Sequence, residues 1–172
     1  MTPKEQKARD LFKSGYNCAQ SVFCAFCEDF EIDFVTGLKL SSSFGGGMGR
    51  LREVCGAVSA MFMLAGLKFG YITNNDDEKK AEHYKFIQEL AEKFKNENGS
   101  IICRELLGVD SDGYVPQKRD EKYYKTRPCE EYVASAARLI EKYIATCKAE
   151  WYNGVIENKE EIWKSLFVEF YF

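Results

Sequence analysis

Apolar residues recur at intervals of three and four along most of the chain, which is the spacing of one buried face of an α-helix. The pattern is clearest in two long segments, 76–98 and 126–150. No segment shows the sustained alternation of apolar and polar residues that is typical of a half-buried strand. The sequence therefore predicts an all-α fold, a compact single-domain bundle of about six to eight helices with short glycine-rich connections.

Helix boundaries are predicted from capping residues, glycines and the limits of each apolar pattern. Between the last two helices, the polar stretch "GVDSDGYVPQKRDEK" at 108–122 is predicted to be a loop. The predicted helices cover 4–14, 17–29, 36–43, 51–69, 76–98, 101–107 and 126–150.

The C-terminal segment "NKEEIWKSLFVEFYF" has an apolar stripe formed largely by aromatic residues. So much apolar surface must be buried against another surface. We divide the chain into a helical cysteine-site domain at 1–148 and an amphipathic aromatic tail at 149–172. The tail is expected either to dock on the domain or to form a homodimer contact.

Composition and charge exclude several classes of partner. The chain has 172 residues, 45% hydrophobic residues and a formal net charge of −3, which gives no reason to expect nucleic acid as a partner. The N-terminal segment lacks the apolar core of a secretory signal, and no apolar run is long enough to span a bilayer. The expected location is cytoplasmic, with no membrane span.

The most unusual segment is "FGGGMGRLREVCGAVSAMF" at residues 44–62, in which four glycines precede a cysteine. Its spacing fits neither the GxGxxG dinucleotide pattern nor a P-loop, so no nucleotide is expected. Glycines allow positive φ angles and close approach of the backbone to another group. Two interpretations stay open: the loop covers a ligand, or it packs against another helix.

Four of the seven cysteines lie near predicted helix starts. There, free backbone N–H groups and the positive end of the helix dipole stabilise a thiolate and lower its pKa. Three of these starts have a good capping residue nearby, at Asn17, Ser100 and Thr126. The four cysteines are Cys18, Cys55, Cys103 and Cys129.

The other three cysteines do not complete a recognisable metal site. Cys24 and Cys27 form a C-x-x-C inside a predicted helix, and there is no second C-x-x-C to complete a zinc ribbon. Because free cysteine is among the most buried residue types, we interpret Cys24, Cys27 and Cys147 as buried apolar filler. The single histidine, His83, lies in a predicted helix, so acid–base catalysis has no obvious agent.

Six short segments, taken in order, resemble a family of redox-active proteins named for the pattern C_GCAxxG_C_C. The family's four cysteines fall on the same four that lie near predicted helix starts. The central motif departs from the family name, because the cysteine precedes the glycine and Ala60 replaces the last glycine. The matching segments are "GYNCAQSV" (15–22), "FGGGMGR" (44–50), "EVCGAVSA" (53–60), "GLKFG" (66–70), "CRELLG" (103–108) and "RPC" (127–129).

The resemblance implies a compact helical fold and a redox or metal role, with an iron–sulfur centre as the suspected cofactor. Our first hypothesis is a metal centre held by Cys18, Cys55, Cys103 and Cys129, most readily an iron–sulfur cluster and alternatively zinc. It would act in electron transfer or redox sensing with a partner protein or electron donor of unknown identity. The residues expected to contact the centre are Gly45, Gly46, Gly47, Gly49, Arg50 and Arg104, with Arg52 and Arg127 as further donors to sulfur or to an anionic partner.

Two other functions stay open at this point. The first is metal-free thiol–disulfide chemistry, in which Cys55 is the candidate nucleophile. The second is a helical protein that binds a partner and carries a structural zinc or buried thiols. Whether the protein is an enzyme is left undecided.

Overall fold

The computed structural model describes residues 1–111 and 113–146, and within this part the fold is all-α with eight helices and no extended strand. Cys147 and the predicted aromatic tail lie outside the described residues. A 3₁₀ turn, Cys27–Phe30, follows α2. The helices are α1 Pro3–Lys13, α2 Cys18–Ala25, α3 Phe34–Ser42, α4 Gly56–Phe69, α5 Asp77–Asn98, α6 Cys103–Leu107, α7 Glu121–Thr126 and α8 Cys129–Thr146.

The helix α2 lies at the centre of the fold. It packs against α1, α3 and α4, and every residue from Ala19 to Ala25 is buried except Gln20. Asn17 begins it with a reciprocal cap, in which its side chain accepts from the Gln20 amide and the Gln20 side chain accepts from the Asn17 amide. The predicted start of this helix is confirmed, and the cap fixes the position of Cys18.

The first helix is joined to the start of α8 by a group of ion pairs. Arg9 contacts Glu131 at 2.6 Å and Glu130 at 3.1 Å, and Lys13 contacts Glu130 at 2.9 Å. Since Cys129 directly precedes these glutamates, the ion pairs also position its backbone. The hydrogen bonds with Glu131 raise the pKa of Arg9, so its charge is retained at any ordinary pH.

The predicted helix at 51–69 begins five residues later than expected, at Gly56. The cause is a run of left-handed backbone: φ is positive at Gly46, Gly47, Met48, Gly49, Arg50 and Arg52. Such a run cannot continue into a right-handed helix. The chain then pairs with the segment before α6, including an antiparallel bridge between Val54 and Ile102.

Two other helix starts also differ from the prediction. The stretch predicted as a loop at 108–122 contains the first residues of α7, which Asp120 caps by accepting from the Tyr123 amide. Thr126 ends this short helix instead of starting the next one. The Ser100 hydroxyl accepts from the Ile102 amide in a local turn, and α6 starts only at Cys103.

The chain divides into two units, Met1–Glu141 and Lys142–Phe172. The first unit contains α1 to α7 and most of α8, and it includes all of the site described below. No helix within the described residues combines the length and apolar character needed to cross a bilayer.

Candidate functional site

All four cysteines of the predicted site lie at the start of a helix. Cys18 is the first residue of α2, Cys103 the first of α6 and Cys129 the first of α8, while Cys55 is the N-cap of α4. At these positions the backbone N–H groups of the first turn have no partner within the helix. The structure therefore places four helix starts around one set of thiols.

Backbone pairing brings Cys55 and Cys103 together. The Cys55 amide donates to the Ile101 carbonyl at 2.8 Å, and the Cys103 amide donates to the Glu53 carbonyl at 2.7 Å. This pairing replaces the expected first turn of α4, so Cys55 caps the helix instead of lying inside it. The amides of Ala57 and Val58 in the first turn of α4 act to lower the pKa of Cys55, against the larger effect of burial.

The other two cysteines form a close pair. The thiol of Cys18 hydrogen-bonds the sulfur of Cys129, and this contact links α2 to α8. Cys129 is 6% exposed, while Cys18 is only partly buried. The sequence predicted that the four cysteines gather, and this pairing within the group is decided by the tertiary structure.

A cavity of about 210 Å³ lies between the four cysteines, and all of them line it. Cys55, Cys103 and Cys129 are each no more than 6% exposed. Of the glycines, Gly45, Gly46 and Gly47 contribute to the wall of the cavity, but Gly49 does not. The glycine loop therefore lines the cavity with backbone instead of bulky side chains.

Gly47 makes the closest approach in this loop. A Cβ atom there would lie 2.6 Å from the Cys103 Cβ and 2.9 Å from both the Arg52 Cα and the Glu53 nitrogen. Its φ of +72° is also in the left-handed region. No side chain fits at this position without displacing the backbone that carries Cys103.

Four arginines line the cavity: Arg50, Arg52, Arg119 and Arg127. Arg52 is 2% exposed, and its Nη1 lies 3.9 Å from the Cys103 sulfur. Arg104, which the sequence placed at the centre, does not line the cavity and makes a bidentate ion pair with Glu53 at 2.8 and 3.1 Å. Arg52 therefore occupies the place for which Arg104 was the candidate.

Sequence reasoning missed Arg119 and two tyrosines, Tyr123 and Tyr132, which also line the cavity. Arg119 donates to the carbonyls of Phe12 and Tyr16 at 3.1 and 2.7 Å. Its guanidinium also lies over the Tyr123 ring at 5.5 Å. Phe12 and Tyr16 lie 107 and 103 residues from Arg119 in the chain. No local sequence pattern could therefore have identified Arg119.

Burial is the main influence on the thiol pKa at two of the four cysteines, Cys55 and Cys103. It raises the pKa of Cys55 to about 12 and that of Cys103 above its ordinary value, although Arg52 opposes the effect at Cys103. The hydrogen bond with Cys129 raises the pKa of Cys18. Cys129 differs: the hydrogen bond from Cys18 and the charge of Arg127 lower its pKa to about 7. A lowered pKa, predicted from helix dipoles for all four thiols, is found only at Cys129 in this set, and its causes there are Cys18 and Arg127.

The side chains of all four cysteines line the cavity. Within the described residues, no group of three or more His, Cys, Asp or Glu side chains is placed to hold a metal ion. Four thiols are a donor set that both iron–sulfur clusters and zinc use, and the buried Arg52 beside Cys103 suits an anionic centre.

Cys24 and Cys27 form a second pair of thiols, separate from the first. The helix α2 ends between them, and the following turn brings their side chains into a hydrogen bond. Both are buried, at 0% and 3% exposure, as predicted. They pack against Gly37 of α3, where a Cβ atom would lie 2.4 Å from the Cys27 sulfur.

Gly37→Ala is expected to destabilise the protein by about 1–3 kcal/mol, because the added methyl overlaps a sulfur that the core holds in place. Gly66→Ala in α4 is the matched control: its added Cβ meets nothing within 4 Å, and alanine favours the helix. Urea unfolding measures both. Equal stability of the two variants would contradict the tight packing at Gly37.

Alkaline pH is expected to weaken the fold through Cys24. Burial raises the pKa of this thiol from 9.0 to about 12. The contribution of the buried, protonated Cys24 thiol to the free energy of unfolding is therefore complete below about pH 9. It is lost as pH rises toward 12, because the unfolded chain releases the proton first. Urea midpoints between pH 8 and 10.5 should fall more steeply for the native protein than for Cys24→Ala, and parallel curves would contradict the assignment.

The match to known families covers most of the chain. The family described as "Putative redox-active protein (C_GCAxxG_C_C)" matches residues 16–143. The chain belongs to this family. The match includes all four cysteines around the cavity and the whole glycine loop. Neither the curated proteins nor the solved structures gave a significant match.

Membership confirms the resemblance seen in the sequence and supports a redox-active protein as the general class. The four cysteines that line the cavity all lie within the matched range. In this family member, the central motif with cysteine before glycine places Cys55 at the N-cap and Gly56 in the first turn of α4. A Cβ at Gly56 would lie 2.7 Å from the Phe44 carbonyl oxygen, so the glycine allows the loop to approach the helix.

Proposed function

We propose that the protein transfers electrons through an iron–sulfur centre held by Cys18, Cys55, Cys103 and Cys129. The single observation that carries the proposal is the cavity of about 210 Å³ lined by all four thiols. Four thiolates are the usual ligand set of such centres. Sites of four thiolates accept both iron–sulfur clusters and zinc, and the resemblance to the redox-active family is the reason to prefer iron–sulfur.

The surroundings of the cavity favour a negatively charged group. The starts of α2, α4 and α8 direct backbone N–H groups toward it, and the buried Arg52 adds a full positive charge beside Cys103. A reduced centre carries one more negative charge than an oxidised one. Positive groups therefore stabilise the reduced form and raise the reduction potential.

The walls of the cavity also restrict what chemistry takes place there. The described residues that line it include no histidine, aspartate or glutamate. His83 lies in α5 and does not line the cavity. General acid–base catalysis therefore has no histidine or carboxylate at the site, which favours electron transfer over turnover of a substrate.

The test is to purify the protein without oxygen, record its visible spectrum and assay iron and acid-labile sulfide. The proposal expects absorption near 400 nm, roughly as thiolate–iron centres show, with iron and sulfide in comparable amounts. A colourless protein with stoichiometric zinc would overturn it. So would a metal-free protein that fails to take up iron and sulfide on reconstitution.

A second function is favoured by the contact between Cys18 and Cys129. With its pKa lowered to about 7, Cys129 is about half thiolate at neutral pH and is suited to attack a disulfide. In this reaction Cys129 forms a mixed disulfide with a partner, and Cys18 then displaces the partner's second thiol. Two electrons pass to the partner disulfide, which becomes two thiols, while Cys18 and Cys129 become one disulfide.

This second function is tested on metal-free protein incubated with oxidised glutathione. Mass spectrometry of digests should find a Cys18–Cys129 disulfide, and Cys18→Ser should trap glutathione on Cys129. If neither product forms, dithiol exchange is excluded. The result does not affect the iron and sulfide assay, so the two functions are tested separately.

A further inference from the structure

A basic segment lies next to the thiol cavity in an otherwise acidic protein. Residues 117–127, "QKRDEKYYKTR", contain five basic and two acidic side chains, whereas the whole chain has a net charge of −3. Glu121 pairs with Lys125 at 2.5 Å, and Asp120 caps α7 but keeps its negative charge. Five basic and two acidic side chains leave the segment with a net charge of +3.

These residues form an open groove of about 520 Å³, which we call the basic groove. Lys118 and Lys122 are exposed, and neither makes an ion pair with a carboxylate in the part of the chain that the structure describes. The side chains lining the basic groove are Leu107, Val109, Gln117, Lys118, Asp120, Lys122, Tyr123, Thr126, Arg127 and Pro128.

The basic groove and the thiol cavity share a wall. Gln117, Tyr123 and Arg127 line both of them. The Arg127 Nη2 donates to the Gln117 side-chain oxygen at 2.7 Å, and its guanidinium lies 5.3 Å from the centre of the Tyr123 ring. A molecule bound in the groove would thus be separated from the thiol cavity by one layer of side chains.

Exposed apolar residues lie on the segment that borders the groove. Val109 is 41% exposed, Tyr114 is 88% exposed and Val115 is 64% exposed. Apolar side chains beside a set of positive charges are typical of transient protein interfaces, in which charge guides the approach and apolar contact holds the complex. A small anion would leave this apolar surface exposed, whereas a protein partner would bury it.

We propose that the basic groove and the apolar residues beside it are the docking surface for an electron-transfer protein with an acidic face around its own redox centre. The inference rests on the proposed function and identifies the partner class of that site. If Cys18, Cys55, Cys103 and Cys129 hold the proposed centre, it would accept one electron from the reduced partner. The partner would be oxidised and the centre reduced, with no bond formed or broken.

The experiment measures complex formation, so that it does not depend on activity. An oxidised acidic two-iron ferredoxin is the probe, titrated calorimetrically into the full-length protein at about 20 mM and at about 200 mM NaCl. The test variant is Lys118→Glu with Lys122→Glu. The control is Lys85→Glu with Lys93→Glu on α5, which makes the same change of charge at exposed lysines that line neither cavity.

The proposal expects the charge reversal in the groove to weaken binding about tenfold or more at low salt, and the control to change it by less than about twofold. Binding of the native protein should weaken as salt increases. Equal effects of the two variants would overturn the proposal, as would an absence of binding. Stronger competition by inorganic phosphate than by chloride at equal ionic strength would also overturn it, since it would indicate a small-anion site.

The experiment tests the docking proposal separately from the proposed function. Iron, sulfide and the visible spectrum are recorded for both variants, and neither changed pair of lysines lines the thiol cavity. If the protein contains iron and sulfide but its ferredoxin binding does not depend on the groove, only the docking proposal is contradicted. If it lacks iron and sulfide but still binds the ferredoxin through the groove, only the proposed function is contradicted.

Discussion

Gly47→Ala is expected to destabilise the protein by about 3 kcal/mol and to open the thiol cavity. The left-handed backbone conformation costs an L-residue about 1–2 kcal/mol. The added Cβ would also lie 2.6 Å from the Cys103 Cβ and 2.9 Å from the backbone of Arg52 and Glu53. Relief of this overlap requires movement of backbone atoms, and the segment carrying Cys103 pairs directly with that backbone.

The control for this prediction is Gly49→Ala in the same loop. Gly49 is also left-handed, with φ of +62°, but its Cβ would meet only the Ser43 carbonyl oxygen at 3.8 Å. The expected cost is the conformational one alone, about 1–2 kcal/mol. Denaturant unfolding measures both variants, and labelling of Cys103 with a thiol reagent reports opening of the cavity. If the two glycines are equally tolerant, the close approach at Gly47 is contradicted.

Replacement of Cys103 by alanine is expected to reduce bound iron to background. The residue is 6% exposed, lies beside Arg52 and lines the cavity with the other three thiols. If the four thiolates hold the proposed centre, removal of one of them would leave a metal position open to water and oxygen, and the centre would be lost during purification. Iron and sulfide assays on anaerobically purified protein give the measurement.

Cys24→Ala is the matched control, because it removes a thiol that is just as buried but lies outside the cavity. This variant should keep its iron and sulfide, with some loss of stability from the cavity left in the core. If Cys103→Ala retains a full centre, Cys103 is not a ligand. If Cys24→Ala loses iron while it stays folded, the assignment of ligands to the thiol cavity is wrong.

Much of the helical framework could be predicted from the sequence. The spacing of apolar residues identified the long helices, and the capping residue Asn17 fixed the start of α2. These signals are local, since a cap or an amphipathic face depends on residues within one or two turns. The start of α4 could not be found in this way. It depends on a pairing between residues 52–55 and 101–104, which lie far apart in the chain.

The four cysteines that line the cavity could be predicted from the sequence, but the residues around them less so. Arg104 looked equivalent to Arg52 in the sequence, yet Glu53 holds it outside the cavity while Arg52 lies against Cys103. The thiol pKa values are likewise a tertiary property. A helix start lowers a thiol pKa, but burial outweighs that effect at Cys55 and raises the value to about 12.

By itself, the sequence determined that the chain is helical, that four cysteines belong at helix starts and that glycines lie before one of them. Each of these conclusions follows from short-range chemistry: helical periodicity, N-terminal capping and the conformational freedom of glycine. Only the tertiary structure decided that the four starts face one cavity, that Cys18 pairs with Cys129 and that Arg52 and Arg119 contribute charge. Those facts depend on which distant segments pack together, and packing is set by the whole core.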